Sequence, residues 1–201
     1  MSEKPSLPDT KPAMRTEFLA RRKELSAEEI SRLGAQLLDR ALKLPEISNA
    51  HTLAAYISMG SELPTMPLLS HLLKQGTKIV VPRLGKGRDI GWSYFGSARE
   101  LSEVGKHRPA EPQRAEVLGL EALKAADTIL VPAFFIDREG YRLGRGAGWY
   151  DQALLHARPS ATLIGVAYPW ETSEKRLLPR DAHDIAVDVI LTPKQTVRLR
   201  S

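Results

Sequence analysis

The sequence predicts one α/β domain, a three-layer α/β/α sandwich with a mostly parallel sheet. Short apolar runs alternate along the chain with segments of helical periodicity, the order expected when helices cover a parallel sheet. The apolar runs are uninterrupted, as in strands that are buried on both faces. The chain length of 201 residues fits a single domain.

The amino-terminal part is predicted to be helical after a disordered tail. Residues 1–10 are polar and contain proline, so the domain itself is expected to span 11–201. Helical periodicity extends over 13–44 and is interrupted at Ser26-Ala-Glu-Glu29, a capping box that begins a second helix. Pro45 is expected to end that helix, because proline cannot continue the hydrogen-bond ladder.

Strands and helices alternate over the rest of the chain. Polar segments follow several of the strands, so we expect these segments to meet at the carboxyl edge of the sheet, where ligands bind in such folds. Residues 96–118 are expected to be mostly irregular. Buried strands are predicted at 52–57, 78–81, 128–135, 162–167 and 186–191, an exposed edge strand at 90–95, and helices at 65–75, 119–126 and 149–157.

Composition narrows the class of protein. The chain has no cysteine, no apolar stretch long enough to span a membrane and no apolar signal core, so we expect a cytoplasmic protein without a membrane partner. A net charge of +5 is compatible with a nucleic-acid partner. The basic residues are dispersed and no nucleic-acid-reading module is present, so we favour a monomeric enzyme for polyanionic small molecules.

The most informative segment is Gly140-Tyr-Arg-Leu-Gly-Arg-Gly-Ala-Gly-Trp-Tyr-Asp151. Its alternating glycines allow a ligand to approach backbone N–H groups, which form an anion site near a helix start. The two arginines add forked donors for phosphate, and Asp151 adds a hard oxygen ligand of the kind that Mg²⁺ prefers. The segment thus predicts a metal–polyphosphate site.

The glycine run matches neither of two common nucleotide motifs. The Gly-Lys-Ser/Thr ending of a P-loop is absent, and the run lies too far from the preceding strand for a dinucleotide-binding turn. Alternating glycines also occur in flexible surface turns. Lys11 and Arg15 lie four residues apart on one helical face, a spacing that is equally typical of a solvated basic surface.

The segment from Phe135 to Asp151 resembles the family of 5-formyltetrahydrofolate cyclo-ligases, also called 5,10-methenyltetrahydrofolate synthetases. The family's usual form there is Phe-Asp-x-x-Gly-x-Arg-Leu-Gly-x-Gly-x-Gly-Tyr-Tyr-Asp. The resemblance covers nearly the whole chain. It includes Lys11-Pro-Ala-Met-Arg15, Arg21-Arg22, Leu25-Ser26-Ala-Glu-Glu29, Ser58-Met-Gly-Ser-Glu62 with Thr65, Val81-Pro82-Arg83, Gly165-Val-Ala-Tyr168 and His183-Asp-Ile-Ala-Val-Asp188.

The resemblance implies a fold related to sugar-phosphate isomerases and CoA-transferases. It also implies ATP- and Mg²⁺-dependent conversion of 5-formyltetrahydrofolate to 5,10-methenyltetrahydrofolate, with release of ADP and phosphate. The formyl oxygen attacks the γ-phosphate, and N10 captures the resulting iminium phosphate. The alternatives are a non-enzymatic nucleotide- or RNA-binding relative and an ATP-dependent ligase or kinase for another carbonyl substrate.

The resemblance further implies roles for individual residues. Arg145 and Tyr150 are the expected catalytic residues, and Asp151 and Asp188 the expected magnesium ligands. The expected folate-binding residues are Ile57, Glu62, Arg145 and Trp149. The expected ATP-binding residues are Lys11, Arg15, Arg142, Leu143, Gly144, Arg145, Gly146, Ala147, Gly148, Trp149 and Tyr150.

The sequence departs from the family pattern at particular positions. Trp149 replaces the first tyrosine of the usual pair, Glu171 lies near a common glutamine, and 102–116 match poorly. The histidines show no metal-ligand spacing. We expect Asp151→Ala to lower metal-dependent turnover and leave the fold intact, and Arg145→Ala to weaken ATP binding more than folate binding.

Overall fold

A computed structural model describes residues 10–84, 90–106, 108–113 and 116–199. The predicted disordered tail, 1–10, lies outside the described residues except for Thr10. The side chain of Thr10 accepts a hydrogen bond from the backbone N–H of Ala13 and so caps the first helix.

The helices follow the predicted order, with one correction. The capping box at Ser26 is confirmed, because Ser26 and Glu29 each accept a hydrogen bond from the other's backbone N–H. Pro45 does not end the second helix but begins a short one, where its missing N–H costs nothing. The α-helices are α1 (Lys11–Lys23), α2 (Ala27–Ala41), α3 (Pro45–Ser48), α4 (Met66–Lys74) and α5 (Trp149–Leu154), and 3₁₀ turns span Ala98–Glu100 and Leu120–Ala125.

The strands include the predicted apolar runs and several short additions. The strands are β1 (Thr52–Ala54), β2 (Lys78–Leu84), β3 (Ile90–Tyr94), β4 (Leu101–Ser102), β5 (Glu111–Pro112), β6 (Thr128–Pro132), β7 (Phe135–Asp137), β8 (Arg142–Leu143), β9 (Thr162–Val166), β10 (Thr172–Ser173), β11 (Val189–Leu191) and β12 (Thr196–Arg198).

Within the described residues, seven strands form the main sheet in the order β12-β11-β9-β6-β1-β2-β3. The five inner strands pair in parallel, and β3 and β12 pair antiparallel at the two edges. Helices α2 and α4 pack on one face of the sheet, and α5 and the 3₁₀ turn at Leu120–Ala125 pack on the other. The predicted three-layer α/β/α architecture is confirmed.

The predicted strand over 128–135 is divided in the structure. β6 ends at Pro132, and the chain then forms the β7–β8 hairpin, which pairs with β10 in a separate small sheet. This hairpin carries the glycine run away from the end of β6. Helix α1 packs against it through Met14 and Phe18, whose partners include Phe135 and Leu143.

None of the described helices combines the length and the apolar character needed to cross a membrane.

Asp127 ties the strands together at the amino edge of the sheet. Its carboxylate accepts the backbone N–H groups of His51 and Thr52 at 2.7 and 2.8 Å and is paired with Arg158. Partial burial opposes the charge, but these donors outweigh it and hold the pKa of Asp127 below its ordinary value. A carboxyl with a lowered pKa stabilises the folded state above its unfolded pKa and loses that contribution on acidification.

Asp127→Asn is expected to lower the free energy of unfolding by about 1–2 kcal/mol at neutral pH. The difference from the wild type should shrink as the pH falls below about 4, because the wild-type carboxylate is then protonated. Urea unfolding at pH values above and below this range measures both effects. A difference that is the same at both pH values would show that the charge of Asp127 does not stabilise the fold.

Candidate active site

The glycine run and three other segments of the chain lie together. They are the amino-terminal half of α1, the loop after β1, the loop at 144–148 that follows β8, hereafter the glycine loop, and the segment 181–185. Hydrogen bonds and ion pairs join each segment to at least one of the others. Most of the residues nominated from the sequence lie in these segments or directly flank the glycine loop, whereas Asp188 does neither.

Arg15 lies against the glycine loop. Its Nε donates to the carbonyl oxygen of Gly144 at 2.8 Å. A Cβ atom at Gly146 would stand 3.1 Å from the Arg15 guanidinium carbon, and both Gly146 and Gly148 have positive φ values, +96° and +65°. Glycine is therefore required at 146 both for the backbone conformation and for the approach of Arg15.

The glycine loop is exposed on its outer side and fixed at its two ends. Arg145, Gly146 and Ala147 are exposed residues. Leu143 is buried against α1, and its carbonyl oxygen accepts the N–H of Phe134 at 2.7 Å. Leu143 therefore positions the loop, and the accessible groups belong to the residues after it.

Arg145 joins the glycine loop to the loop after β1. Its Nε and Nη2 both donate to Glu62 Oε1, at 3.2 and 2.8 Å, while Glu62 Oε2 accepts the N–H of Met59 at 3.0 Å. The Glu62 side chain is only 8% exposed and the Arg145 side chain 44% exposed. Arg145 thus covers the Glu62 carboxylate, and part of the Arg145 side chain stays accessible to solvent.

Three tyrosines lie close to Glu62. Tyr56 and Tyr168 are buried and Tyr150 is partly buried, and Ile57 is buried beside Tyr56. Burial raises the pKa of all three hydroxyls, that of Tyr168 to about 12, and the Glu62 charge adds to the effect. At neutral pH they therefore remain O–H donors beside a carboxylate.

Trp149 belongs mainly to the core. Its ring lies 5.3 Å from that of Trp92 and 4.7 Å, edge to face, from that of Tyr150. The indole Nε1 is buried and has no hydrogen-bond partner among the described residues. This packing accounts for an aromatic residue at 149, and Trp149 would reach a ligand only through the side that faces Tyr150.

Arg142 and Asp151 form an ion pair beneath the glycine loop. Arg142 Nη2 donates to Asp151 Oδ1 at 2.7 Å, and Arg142 Nη1 donates to the carbonyl oxygen of Ile185 at 2.7 Å. The Arg142 side chain is only 4% exposed. Arg142 therefore holds Asp151 and the segment at 185 in place, which differs from the expected direct contact with the triphosphate.

Lys11 lies beside Asp184, a residue that the sequence reasoning missed. The Lys11 ammonium group contacts Asp181 Oδ2 at 2.9 Å and Asp184 Oδ2 at 3.1 Å. Burial opposes the charged form, but the two carboxylates raise the pKa of Lys11 overall. Asp184 directly precedes Ile185, whose carbonyl oxygen accepts from Arg142 and whose N–H donates to Asp151, so Asp184 is adjacent in sequence to a residue that contacts Asp151.

The side chains of Asp181, His183 and Asp184 also group together, with ligand atoms within 4.8 Å of one another. The sequence spacing of the histidines had indicated no such group. Lys11 contacts both of the carboxylates, so a cation already balances their charge.

Asp188 is not part of this assembly. It directly precedes β11, and its Oδ2 accepts the backbone N–H of Leu163 at 2.8 Å near the start of β9. Because β9 and β11 are parallel, their starts lie at the amino edge of the sheet, away from the carboxyl edge. The expectation that Asp188 shares a metal with Asp151 is therefore not supported by the arrangement, and Asp188 stabilises strand pairing.

The fold and the site together define a class of α/β protein in which a glycine loop, several arginines and paired carboxylates border the carboxyl edge of a parallel sheet. A sequence profile described as the 5-formyltetrahydrofolate cyclo-ligase family matches residues 8–193. The chain belongs to the 5-formyltetrahydrofolate cyclo-ligase family.

Individual relatives agree with this assignment. A 5-formyltetrahydrofolate cyclo-ligase of Mycolicibacterium smegmatis is 36% identical over 94% of this chain and 97% of its own length. A relative of that name from Escherichia coli K12 is 28% identical over 87% and 96%. The solution structure of Aquifex aeolicus 5,10-methenyltetrahydrofolate synthetase superposes with a TM-score of 0.79 at 34% identity, covering 95% of this chain and 93% of that one.

Proposed function

We propose that this protein catalyses the ATP-dependent cyclisation of 5-formyltetrahydrofolate to 5,10-methenyltetrahydrofolate, with release of ADP and phosphate. One observation carries the proposal beyond the family assignment. Arg145 of the glycine loop is in direct contact with Glu62 of the loop after β1. The residue that we propose to bind the nucleotide therefore touches the residue that we propose to bind the second substrate, which suits a reaction between two bound substrates.

The nucleotide side of the site consists of α1 and the glycine loop. Arg15, Arg145 and the backbone of the exposed residues 145–147 offer donors to phosphate oxygens, and Lys11 lies at the start of α1 beside them. Phosphoryl transfer needs positioning and neutralisation of charge more than a protein nucleophile. The proposed task of Arg145 is to neutralise the charge that develops as the formyl oxygen attacks the γ-phosphate.

The carboxylates fit a magnesium ion. Mg²⁺ prefers hard oxygen ligands and usually takes one or two carboxylates together with substrate phosphates. Asp151 and Asp184 offer such oxygens, and we propose Asp184 rather than Asp188 as the second carboxylate. When bound, the ion would neutralise the triphosphate. Lys11, which contacts Asp184 at 3.1 Å, would supply a further positive charge beside such an ion.

The folate side of the site consists of Glu62, Ile57 and the tyrosines around them. A carboxylate can accept two adjacent N–H groups of an aminopterin ring, and Glu62 is already held by the N–H of Met59 and by Arg145. The protonated Tyr150 hydroxyl is a donor for the phosphorylated formyl oxygen of the iminium phosphate. Its proposed role is to orient that group for capture by N10.

A direct assay tests the proposal. Purified protein with ATP, Mg²⁺ and 5-formyltetrahydrofolate is expected to develop the near-ultraviolet absorbance of the methenyl product and to release one ADP for each product formed. Absence of product with any divalent metal would reject the proposed reaction. RNA binding that persists in saturating ATP–Mg²⁺ and weakens steeply with salt would favour the non-enzymatic alternative.

We further propose that the protein acts as a monomer in the cytoplasm. Light scattering at the concentrations used for the assay tests the monomer, and a dimer that persists on dilution would contradict it.

A further inference from the structure

A continuous stack of arginine and aromatic side chains runs beside the site. The Arg22 guanidinium carbon lies 4.5 Å from the ring centre of Phe134 and 5.3 Å from that of Tyr168. On one side the stack continues from Phe134 to Arg145, at 5.5 Å. On the other it continues from Tyr168 to Trp170, whose rings are stacked at 4.6 Å. Arg22 is thus the centre of the stack.

Hydrogen bonds hold the Arg22 guanidinium in addition to its contacts with aromatic rings. Its Nε and Nη2 donate to the two carboxylate oxygens of Glu171 at 2.6 and 2.8 Å, and Nη2 also donates to the carbonyl oxygen of Ala133 at 2.6 Å. The side chains of Arg22 and Glu171 are 4% and 0% exposed. Glu171 itself accepts the N–H of Tyr168 at 2.9 Å. A buried, doubly bonded pair of this kind holds one geometry.

The stack reaches the loop after β1 at two points. On the Phe134 side, Arg145 donates to Glu62. On the Tyr168 side, the Tyr168 hydroxyl donates to the carbonyl oxygen of Ser61 at 3.1 Å. Neighbouring residues of one loop are therefore held from the two sides of Arg22.

We propose that Arg22, fixed by Glu171, is a positioning residue for this active site. Through Phe134 it sets the place of Arg145, and through Tyr168 it sets the place of the loop that carries Glu62. Arg22 itself stays clear of both substrates. The effect on folate recognition rests on the proposed function, whereas the effect on the Arg145 side chain can be measured without any turnover.

The buried contacts of Arg22 account for a carboxylate at Glu171. A carboxylate accepts two donors of one guanidinium and a backbone N–H at the same time, and its charge balances the buried arginine. A glutamine amide has one oxygen and would leave one Arg22 donor facing an NH₂ group. Glu171→Gln is therefore expected to loosen the stack while keeping its shape.

Two neighbouring phenylalanines provide a matched test. Phe134 and Phe135 are both buried, but Phe134 faces Arg22 and Arg145 while Phe135 stacks on Phe18 of α1. Phe134→Leu is expected to raise the KM for 5-formyltetrahydrofolate about tenfold, because Arg145 and Glu62 lose their fixed spacing. Phe135→Leu should lower the melting temperature by about as much as Phe134→Leu does, but it should leave that KM unchanged.

A second measurement follows Arg145 directly. In NMR spectra of the arginine side chains, the Arg145 Nε–H should exchange slowly with water in the wild type and in Phe135→Leu, and faster in Phe134→Leu. Arg22→Lys provides a second variant, because lysine keeps the charge but loses the planar fork. It should act like Phe134→Leu. Arg21→Lys should not, because Arg21 lies at the exposed far end of the stack, beyond Trp170, and not between Arg22 and Arg145.

The outcomes separate this proposal from the proposed function. If the wild type forms no methenyl product, the exchange rates alone decide, and faster Arg145 exchange in Phe134→Leu and Arg22→Lys still supports the positioning role. If the wild type is active but Phe134→Leu matches Phe135→Leu in both KM and exchange, the proposal is overturned. If Phe134→Leu does not fold, the same comparison is made between Arg22→Lys and Arg21→Lys.

Discussion

Arg145→Ala is expected to reduce kcat/KM about a hundredfold, which is the usual cost of removing one charged donor from a transition state. The sequence alone predicted that ATP binding would suffer more than folate binding. In the structure Arg145 also contacts Glu62, so its loss releases the folate-side carboxylate as well. We therefore expect the KM values of both substrates to rise, together with a fall in kcat, in steady-state assays that vary each substrate in turn.

Arg198 provides the matched control for Arg145. It is also a partly exposed arginine paired with a glutamate, Glu46, but it lies on the edge strand β12, outside the site. Arg198→Ala should leave both KM values unchanged. If Arg145→Ala weakened ATP alone, the contact with Glu62 would have no part in folate binding.

Asp151→Asn is expected to lower turnover at limiting magnesium about 10- to 100-fold, because the metal loses a charged ligand. A second effect follows from Arg142, whose nearly buried guanidinium would lose its charged partner. The free energy of unfolding should therefore fall by about 1–3 kcal/mol. This corrects the expectation that the change leaves the fold intact. Magnesium titrations of activity and urea unfolding measure the two effects separately.

Two further carboxylates provide controls for Asp151. Asp184→Asn should also raise the magnesium concentration needed for half-maximal activity, because we propose Asp184 as the second carboxylate of the metal site. Asp188→Asn should cost stability through the lost contact with Leu163 and leave the magnesium dependence unchanged. If an Asp151 variant kept the magnesium dependence of the wild type, Asp151 would not be a metal ligand. If Asp188→Asn changed the magnesium dependence and Asp184→Asn did not, the pairing of Asp151 with Asp188 predicted from the sequence would hold.

The main sheet was predictable because its inner strands are buried on both faces. Runs such as those at β6 and β9 can be read from apolar character alone, and the antiparallel edge strand β3 showed alternation. The small sheet was missed because its strands are two or three residues long and β7 pairs with β10 across a long stretch of sequence. No local sequence pattern predicts that two such short, distant strands pair.

Residues of the candidate site that belong to a local sequence motif could be predicted. Contacts between segments that are distant in sequence could not. The glycine loop, Arg15 and Glu62 were identified from motifs, but the pairing of Arg145 with Glu62 depends on two loops far apart in sequence. The position of Asp188 could have been anticipated. A residue directly before a parallel strand lies at the amino edge of the sheet, opposite the edge where ligands bind.

The position of α1 has a consequence for how the protein is made. Lys11 pairs with Asp181 and Asp184, which lie 170 and 173 residues further along the chain, and Arg22 pairs with Glu171 across 149 residues. On a translating ribosome, at about 5–20 residues per second, the first helix waits roughly 10 to 30 seconds for these partners. Met14 and Phe18 stay exposed until Phe135 and Leu143 emerge, and a nascent chain cut short before residue 171 lacks the partners of both Lys11 and Arg22.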